Sequence, residues 1–247
     1  MTLADFFTTY PRAALGFSGG VDSAYLLYAA LACHAQVRPY YIKTAFQPAF
    51  ELADAQRLCQ QLGVELQIIE RDILSLDLVS ANSKDRCYHC KKALFSALKA
   101  QAQLDGYSIL LDGTNASDEA TDRPGMRALD QLKVLSPLRE CGLTKPQIRQ
   151  LSRAAGLFTW DKPAYACLAT RVPTGQPITK EDLHRVEEAE SALSALGLRD
   201  FRVRLFHGGA RIQAPEPQLE LVLSLRQEIL QKLSGSFDAV MLDLQIR

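Results

Sequence analysis

No stretch of the 247-residue sequence approaches the ~18 consecutive apolar residues that a membrane-spanning helix requires, so no membrane partner is expected. No charge sign is in excess. With 28 basic and 28 acidic side chains, no global field draws the chain to nucleic acid or an anionic bilayer, and an anionic ligand has to be recognised by local groups. The opening residues, Met1-Thr2-Leu3-Ala4-Asp5-Phe6, lack a basic segment followed by an apolar run. They do not read as an export signal, and a cytoplasmic location is expected. There is no internal repeat and no low-complexity segment. A second CxxC and a histidine pair at zinc-ligand spacing are also missing, which argues against a zinc site.

What is present is a chain of 47% hydrophobic and 23% charged residues, long enough for one large domain or two modest ones. Apolar runs at 13–17, 37–42, 65–69 and 108–111 read as strands. The segments 24–32, 51–62, 91–102 and 144–155 read as helices, with Gly63 stopping the second and Thr144 capping the fourth. Strands alternating with helices imply an α/β fold with a parallel, doubly covered sheet, whose ligand lies beyond the carboxyl ends of the strands. Residues 162–179, with Pro163, Pro173, Gly175 and Pro177, read as irregular. Beyond them come a helix (180–196), strands at 201–206 and 210–214, one helix over 218–233 and a last strand at 239–244. The expected organisation is a first domain over 1–165 and a smaller α+β domain over 166–247.

Ser18-Gly19-Gly20-Val21-Asp22-Ser23 lies between the first strand and its helix. Glycines there let backbone N–H groups converge on a phosphate, and the helix end adds positive potential. Ser18 and Ser23 supply hydroxyls. A Walker loop would carry lysine before its final Ser/Thr; here that place is Asp22, a carboxylate suited to Mg²⁺ bound with the phosphates.

Six cysteines are present: Cys33, Cys59, Cys87, Cys90, Cys141 and Cys167. Cys33 and Cys59 sit in apolar helical patterns and read as core; Cys141 reads as incidental. Cys87-Tyr88-His89-Cys90 places a CxxC before a helix. With the remote Cys167 it makes three thiols, a set able to hold a metal or a cluster, or alternatively a redox pair plus a lone thiol.

The hexapeptide resembles the PP-loop of the N-type ATP pyrophosphatases, which cleave ATP between the α- and β-phosphates and adenylate a substrate. Asp112-Gly113-Thr114-Asn115-Ala116-Ser117-Asp118, Asp122-Arg123-Pro124-Gly125, Ser136-Pro137-Leu138 and Leu143-Thr144-Lys145 continue the likeness. Trp160-Asp161-Lys162-Pro163-Ala164-Tyr165-Ala166-Cys167-Leu168-Ala169-Thr170-Arg171 resembles the signature of the LarE family of ATP-dependent sulfur transferases.

The resemblance implies a HUP-like, adenine-nucleotide alpha-hydrolase fold. It implies ATP at Gly16, Ser18, Gly19, Gly20, Asp22, Ser23, Gly113 and Thr114, with Mg²⁺ at Asp22. The substrate implied is pyridinium-3,5-biscarboxylic acid mononucleotide, adenylated on a ring carboxylate and then converted to a thiocarboxylate. In the single-cysteine form Cys167 is consumed as sulfur donor. The CxxC favours instead the branch in which Cys87, Cys90 and Cys167 hold a [4Fe–4S] cluster. Arg123 and Arg171 are candidate substrate contacts. Arg202 and Arg204, two apart on a strand, face one side and suit an anionic nucleotide, although a solvated strand face has the same pattern. Glu190 is implied beside them, as is a homo-oligomer, trimer or hexamer. An amide-forming ligase shares the loop but has no need of three spaced thiols, and tRNA thiolation usually brings a basic extension that is missing here.

Overall fold

The computed structural model describes residues 1–118 and 124–246. It divides into two compact units. The first comprises residues 1–73 and 85–162, and the second 74–84 and 163 onward.

In chain order the first unit opens with α1 (Leu3–Thr9), β1 (Arg12–Gly16), α2 (Val21–Ala32), β2 (Gln36–Lys43), α3 (Ala49–Leu62) and β3 (Gln67–Glu70). After the excursion that carries α4 (Asp77–Ser80) come α5 (Arg86–Leu104), β4 (Leu110–Leu111), α6 (Pro124–Leu132), α7 (Pro137–Glu140) and α8 (Lys145–Ala154). The strands form one wholly parallel sheet in the order β3-β2-β1-β4, with Gly16 opposite Tyr40 and Leu15 opposite Leu111. This is the α/β, PP-loop (HUP-like) fold that the resemblance implies.

Side chains alternate across the sheet as strand geometry requires. Ala13 and Leu15 join a core with Leu26, Leu27, Leu58 and Ile148, whereas Ala14 and Tyr40 face a second core with Leu98, Ala102 and Leu110. Gly63, at φ +67°, ends α3 in the left-handed conformation that side chains resist. Thr144 and Gln147 form a capping box at the start of α8. Because the chain runs β1→β2→β3 to one side and places β4 on the other, the order reverses between β1 and β4. A ligand crevice belongs outside the carboxyl ends of that pair.

In the second unit α9 (Lys180–Ala195) packs on a three-stranded sheet of β5 (Arg202–Phe206), β6 (Gly209–Gln213) and β7 (Val240–Leu242). β5 runs antiparallel to β6 and β7 parallel to it. The helix expected over 218–233 is two: α10 (Leu219–Ser224) and α11 (Arg226–Leu233) break at Leu225. The irregular stretch after Pro163 contains a 3₁₀ turn over Leu168–Arg171. The 74–84 segment is held inside this unit. Ile178 N–H donates to Ser80 O (2.8 Å), Gly175 N–H donates to Asn82 O (2.8 Å), and the Asn82 amide donates to the carbonyls of Pro173 (2.9 Å) and Gln176 (3.0 Å). Among the described residues no helix is long and apolar enough to cross a membrane.

Candidate functional site

The loop after β1 and the loop after β4 meet where the strand order reverses. They line a cleft of about 210 Å³ together with Phe95; its walls include Gly16, Ser18, Asp22, Ser23, Asp112, Gly113, Thr114 and Asp118. Of the expected nucleotide residues, Gly16, Ser18, Asp22, Ser23, Gly113 and Thr114 line this cleft of the first unit, and Gly19 and Gly20 do not. Gly19 takes φ +69°, and a Cβ there would lie 3.0 Å from the Ala55 nitrogen, so the loop can pass α3 only as glycine. Gly113 is constrained in another way: its Cβ would lie 3.0 Å from the Ser23 nitrogen, so the two loops touch backbone to backbone. Ser18 N–H donates to Ser23 Oγ (3.3 Å), Gly20 N–H donates to Ser18 Oγ (3.3 Å), and the two hydroxyls stand 3.2 Å apart. These hydroxyls fix the turn while the start of α2 presents its positive end to the cleft.

Asp22, in the first turn of α2, is largely withdrawn from water, which raises its pKa above the ordinary carboxylate value; Lys145 opposes the rise through a 2.5 Å ion pair. Asn115 Nδ2 also donates to it, at 3.4 Å. Asp112, at the end of β4, accepts from Ser136 Oγ (2.7 Å) and from the Thr114 hydroxyl. Asp118 Oδ2 accepts from Asn115 N–H (3.0 Å). The lining is therefore rich in hard oxygen donors, the type Mg²⁺ prefers; that ion uses one or two carboxylates alongside phosphate and water. Within each unit, among the described residues, no three or more His, Cys, Asp or Glu side chains are gathered as a complete metal site.

Lys145 stands in the Leu143-Thr144-Lys145 stretch of the resemblance, but its pairing with Asp22 was not foreseen. The available signal was its place: a lysine on the first residue of a helix opposes the macrodipole and calls for an anionic neighbour. Asp118 closes the Asp112–Asp118 motif already quoted, whereas Phe95 was not singled out.

Cys87 and Cys90 do not precede their helix, as expected, but are its second and fifth residues, because α5 begins at Arg86. Three residues apart, they are neighbours on the helix surface, with Cβ atoms about 5–6 Å from each other. Cys87 is exposed and Cys90 half-buried, and none of the six cysteines forms a disulfide. Arg86 Nη2 donates to Cys87 Sγ at 3.6 Å. Phe95, which lines the cleft, and Leu98, fully buried, stand on the same helix and would both meet a Cβ on Gly16. Along the axis, Cys90 lies about 7–8 Å and Cys87 about 12 Å from Phe95. Cys59 is buried in the core and its thiol pushed up to about 12; Cys141 is also shifted up by burial.

Cys167 belongs to the second unit, where it precedes the 3₁₀ turn and is half-buried. The segment around it is held by the arginines singled out in the sequence. Arg171 donates to Ala166 O (2.9 Å), Arg202 to Ala164 O, and Arg204 to Thr170 O (2.5 Å). Glu190 receives Arg171 Nε at 2.8 Å, the Tyr165 hydroxyl at 2.5 Å and the Val203 N–H at 2.9 Å. The Tyr165 ring lies between two guanidiniums, Arg171 at 4.6 Å and Arg202 at 4.8 Å. Burial, with Arg171 adding to it, pushes Arg202 down to about 10, so it stays charged at neutral pH. Arg202 and Arg204 do share a strand side, but Arg202 is buried rather than displayed to solvent. Arg123 lies outside the described residues.

No family model matches the chain. It is 38% identical over 221 residues to an uncharacterized protein of Synechocystis sp., covering 88% of this chain and 82% of that one. It is 32% identical over 236 residues to the pyridinium-3,5-bisthiocarboxylic acid mononucleotide synthase of Lactiplantibacillus plantarum, covering 94% and 86%. A more distant likeness, 24% over 193 residues and 61% of this chain against 54% of the other, is to the tRNA-specific 2-thiouridylase MnmA of Thermotoga petrophila.

Proposed function

The chain belongs to the LarE family, that of the pyridinium-3,5-bisthiocarboxylic acid mononucleotide synthase, and from that premise we propose that it is an ATP-dependent sulfur transferase. It adenylates a ring carboxylate of pyridinium-3,5-biscarboxylic acid mononucleotide and converts it to the thiocarboxylate, toward a nickel-pincer nucleotide cofactor. The observation that carries this reading is a single helix. α5 bears a wall residue of the phosphate cleft, Phe95, and two thiols within about 12 Å of it along the axis.

The chain's own groups divide the work. The N–H groups and hydroxyls of residues 18–23, which bond one another within the loop, would turn to phosphate oxygens when ATP binds, and Asp22 would hold Mg²⁺. Lys145 supplies positive charge where pyrophosphate departs. Arg171, Glu190, Arg202 and Arg204 keep the Cys167 segment in one conformation and, with more arginines than acids, leave positive charge for an anionic mononucleotide. Cys87, Cys90 and Cys167 would hold a [4Fe–4S] cluster; thiolates are the ligands such a cluster takes, and the i, i+3 spacing of Cys87 and Cys90 on α5 supports the reading. When bound, such a cluster would supply the sulfide that displaces AMP from the acyl-adenylate. The enzyme works in the cytoplasm, as a homo-oligomer, without nucleic acid or membrane.

The test is AMP formation that depends on the mononucleotide, together with anaerobic iron and sulfide analysis of wild type beside Cys87→Ala. The reading expects AMP release, a brown wild-type protein and iron lost in the variant. Iron absent from both, with Cys167 losing the mass of H₂S on turnover, replaces the cluster by sacrifice of Cys167. AMP formed only with an amine donor replaces sulfur transfer by amide synthesis.

A further inference from the structure

Helix α8 carries Lys145, Arg149 and Arg153 at four-residue spacing, so the three share one face. Like charges at that spacing oppose one another, and the first stands at the positive end of the helix dipole. The stripe does not stabilise α8 by itself; its members are explained by what they hold. Lys145 Nζ is 2.5 Å from Asp22 Oδ2. Arg149 donates from Nη1 to Trp160 O and from Nη2 to Lys162 O, both at 2.7 Å. The Arg153 guanidinium lies 4.9 Å over the Trp160 ring. Ile148, fully buried, and the capping box at Thr144 make α8 a stiff element. One end of the helix therefore rests on the carboxylate of the phosphate loop. Its length grips the last residues before Pro163, the chain that leads into Cys167.

We propose that Arg149 is a positioning residue for the sulfur-transfer reaction, tying the 160–162 main chain to the phosphate loop through α8. The inference rests on the adenylation reading. With ATP and its cation bound, Asp22 would hold the cation and the Lys145 ammonium, released from it, would meet phosphate. The first turn of α8 follows, and the two-pronged guanidinium of Arg149 carries the shift to Trp160 and Lys162. A displacement of about 1 Å at this level matters, since misplacing a reacting group by that much costs up to about 100-fold in rate.

Trp160 is the sole tryptophan of the chain, so its emission reports on this segment alone. Wild type and Arg149→Ala are titrated with Mg–ATP, with calorimetry giving the affinity independently. The expected result is an ATP-dependent emission change in wild type. In Arg149→Ala that change is lost although ATP still binds within about threefold, and kcat for AMP formation falls about tenfold with KM for ATP held. Arg149→Lys, which keeps the charge but not the two-pronged reach, behaves like the alanine variant and covers a failure of the latter to fold. ATP binding without an emission change in wild type overturns the inference alone, as does a response retained in either variant. Loss of ATP binding in Arg149→Ala assigns Arg149 to the nucleotide site and overturns the positioning role. No ATP binding by wild type overturns the adenylation reading and this inference with it.

Discussion

Glu190 and Arg171 form an ion pair sealed from water: Nε to Oε1 at 2.8 Å and Nη2 to Oε2 at 3.2 Å, with none of the arginine side chain exposed. Removing one partner strands the other. Glu190→Ala is expected to destabilise the protein by about 3–5 kcal/mol, the cost of a buried charge left without its mate. Glu190→Gln, which keeps one acceptor oxygen, is expected to cost less. Urea unfolding of the three proteins side by side checks this; a loss in Glu190→Ala under about 1 kcal/mol refutes the buried-pair account.

Asp22 should trade stability for binding. Burial raises its pKa above 3.8, so the folded protein holds this proton more tightly than the unfolded chain does. The sign follows: ionised Asp22 costs stability at neutral pH, and the cost disappears as pH falls through the raised value. Asp22→Asn is therefore expected to keep or raise the thermal midpoint at pH ~7 while weakening Mg–ATP binding about tenfold or more. In wild type, Mg–ATP affinity should decline on acidification from a pH already above 3.8. A lower midpoint for Asp22→Asn, read by scanning calorimetry, contradicts the assignment.

Gly19→Ala should damage the loop without touching any side-chain chemistry. The left-handed backbone costs a non-glycine residue about 1–2 kcal/mol. The added methyl also sits 3.0 Å from the Ala55 nitrogen. We expect ATP affinity to drop by more than stability, because the loop can relieve the contact by moving off its phosphate-binding shape. Equal ATP affinity in titration calorimetry would show that the close approach to α3 does not set the loop.

The cysteines should react in an order set by exposure and thiolate population. Cys87 is exposed, whereas Cys59 is buried with its thiol pushed up to about 12. At about pH 8 only about one Cys59 in 10,000 is thiolate. Iodoacetamide followed by peptide mass spectrometry on anaerobically chelated protein should label Cys87 early and Cys59 only after denaturant. Comparable native labelling rates would be incompatible with the packed core around Cys59.

What the sequence revealed and what it hid separate along physical lines. The turn at residues 18–23 was legible because its determinants are local: a glycine, Gly19, where φ is positive, a strand before, a helix after. Thr144 and Gly63 marked helix ends for the same reason. The start of α5 was misjudged because Asp85 makes no side-chain cap, so nothing local separates the CxxC from the helix it begins. The break at Leu225 was invisible, since residues 218–233 contain neither proline nor glycine and keep one apolar period. The partners of Lys145 and Arg149, which are Asp22 and the carbonyls of Trp160 and Lys162, were not legible because tertiary packing fixes them. Arg171, Arg202 and Arg204 were marked only as candidate substrate contacts; that they hold main-chain carbonyls of the Cys167 segment is a long-range fact.

The 74–84 segment has a consequence for the order in which the protein is made. The Asn82 side chain waits for a carbonyl, that of Pro173, which lies 91 residues further along the chain. At ribosomal speeds that interval is about 5–18 s. During it Val79, fully buried in the finished protein, has no second-unit core to enter. The nascent chain therefore carries Val79 and Asn82 before the residues that cover them exist. Neither unit can be transplanted by a single cut at residue 163.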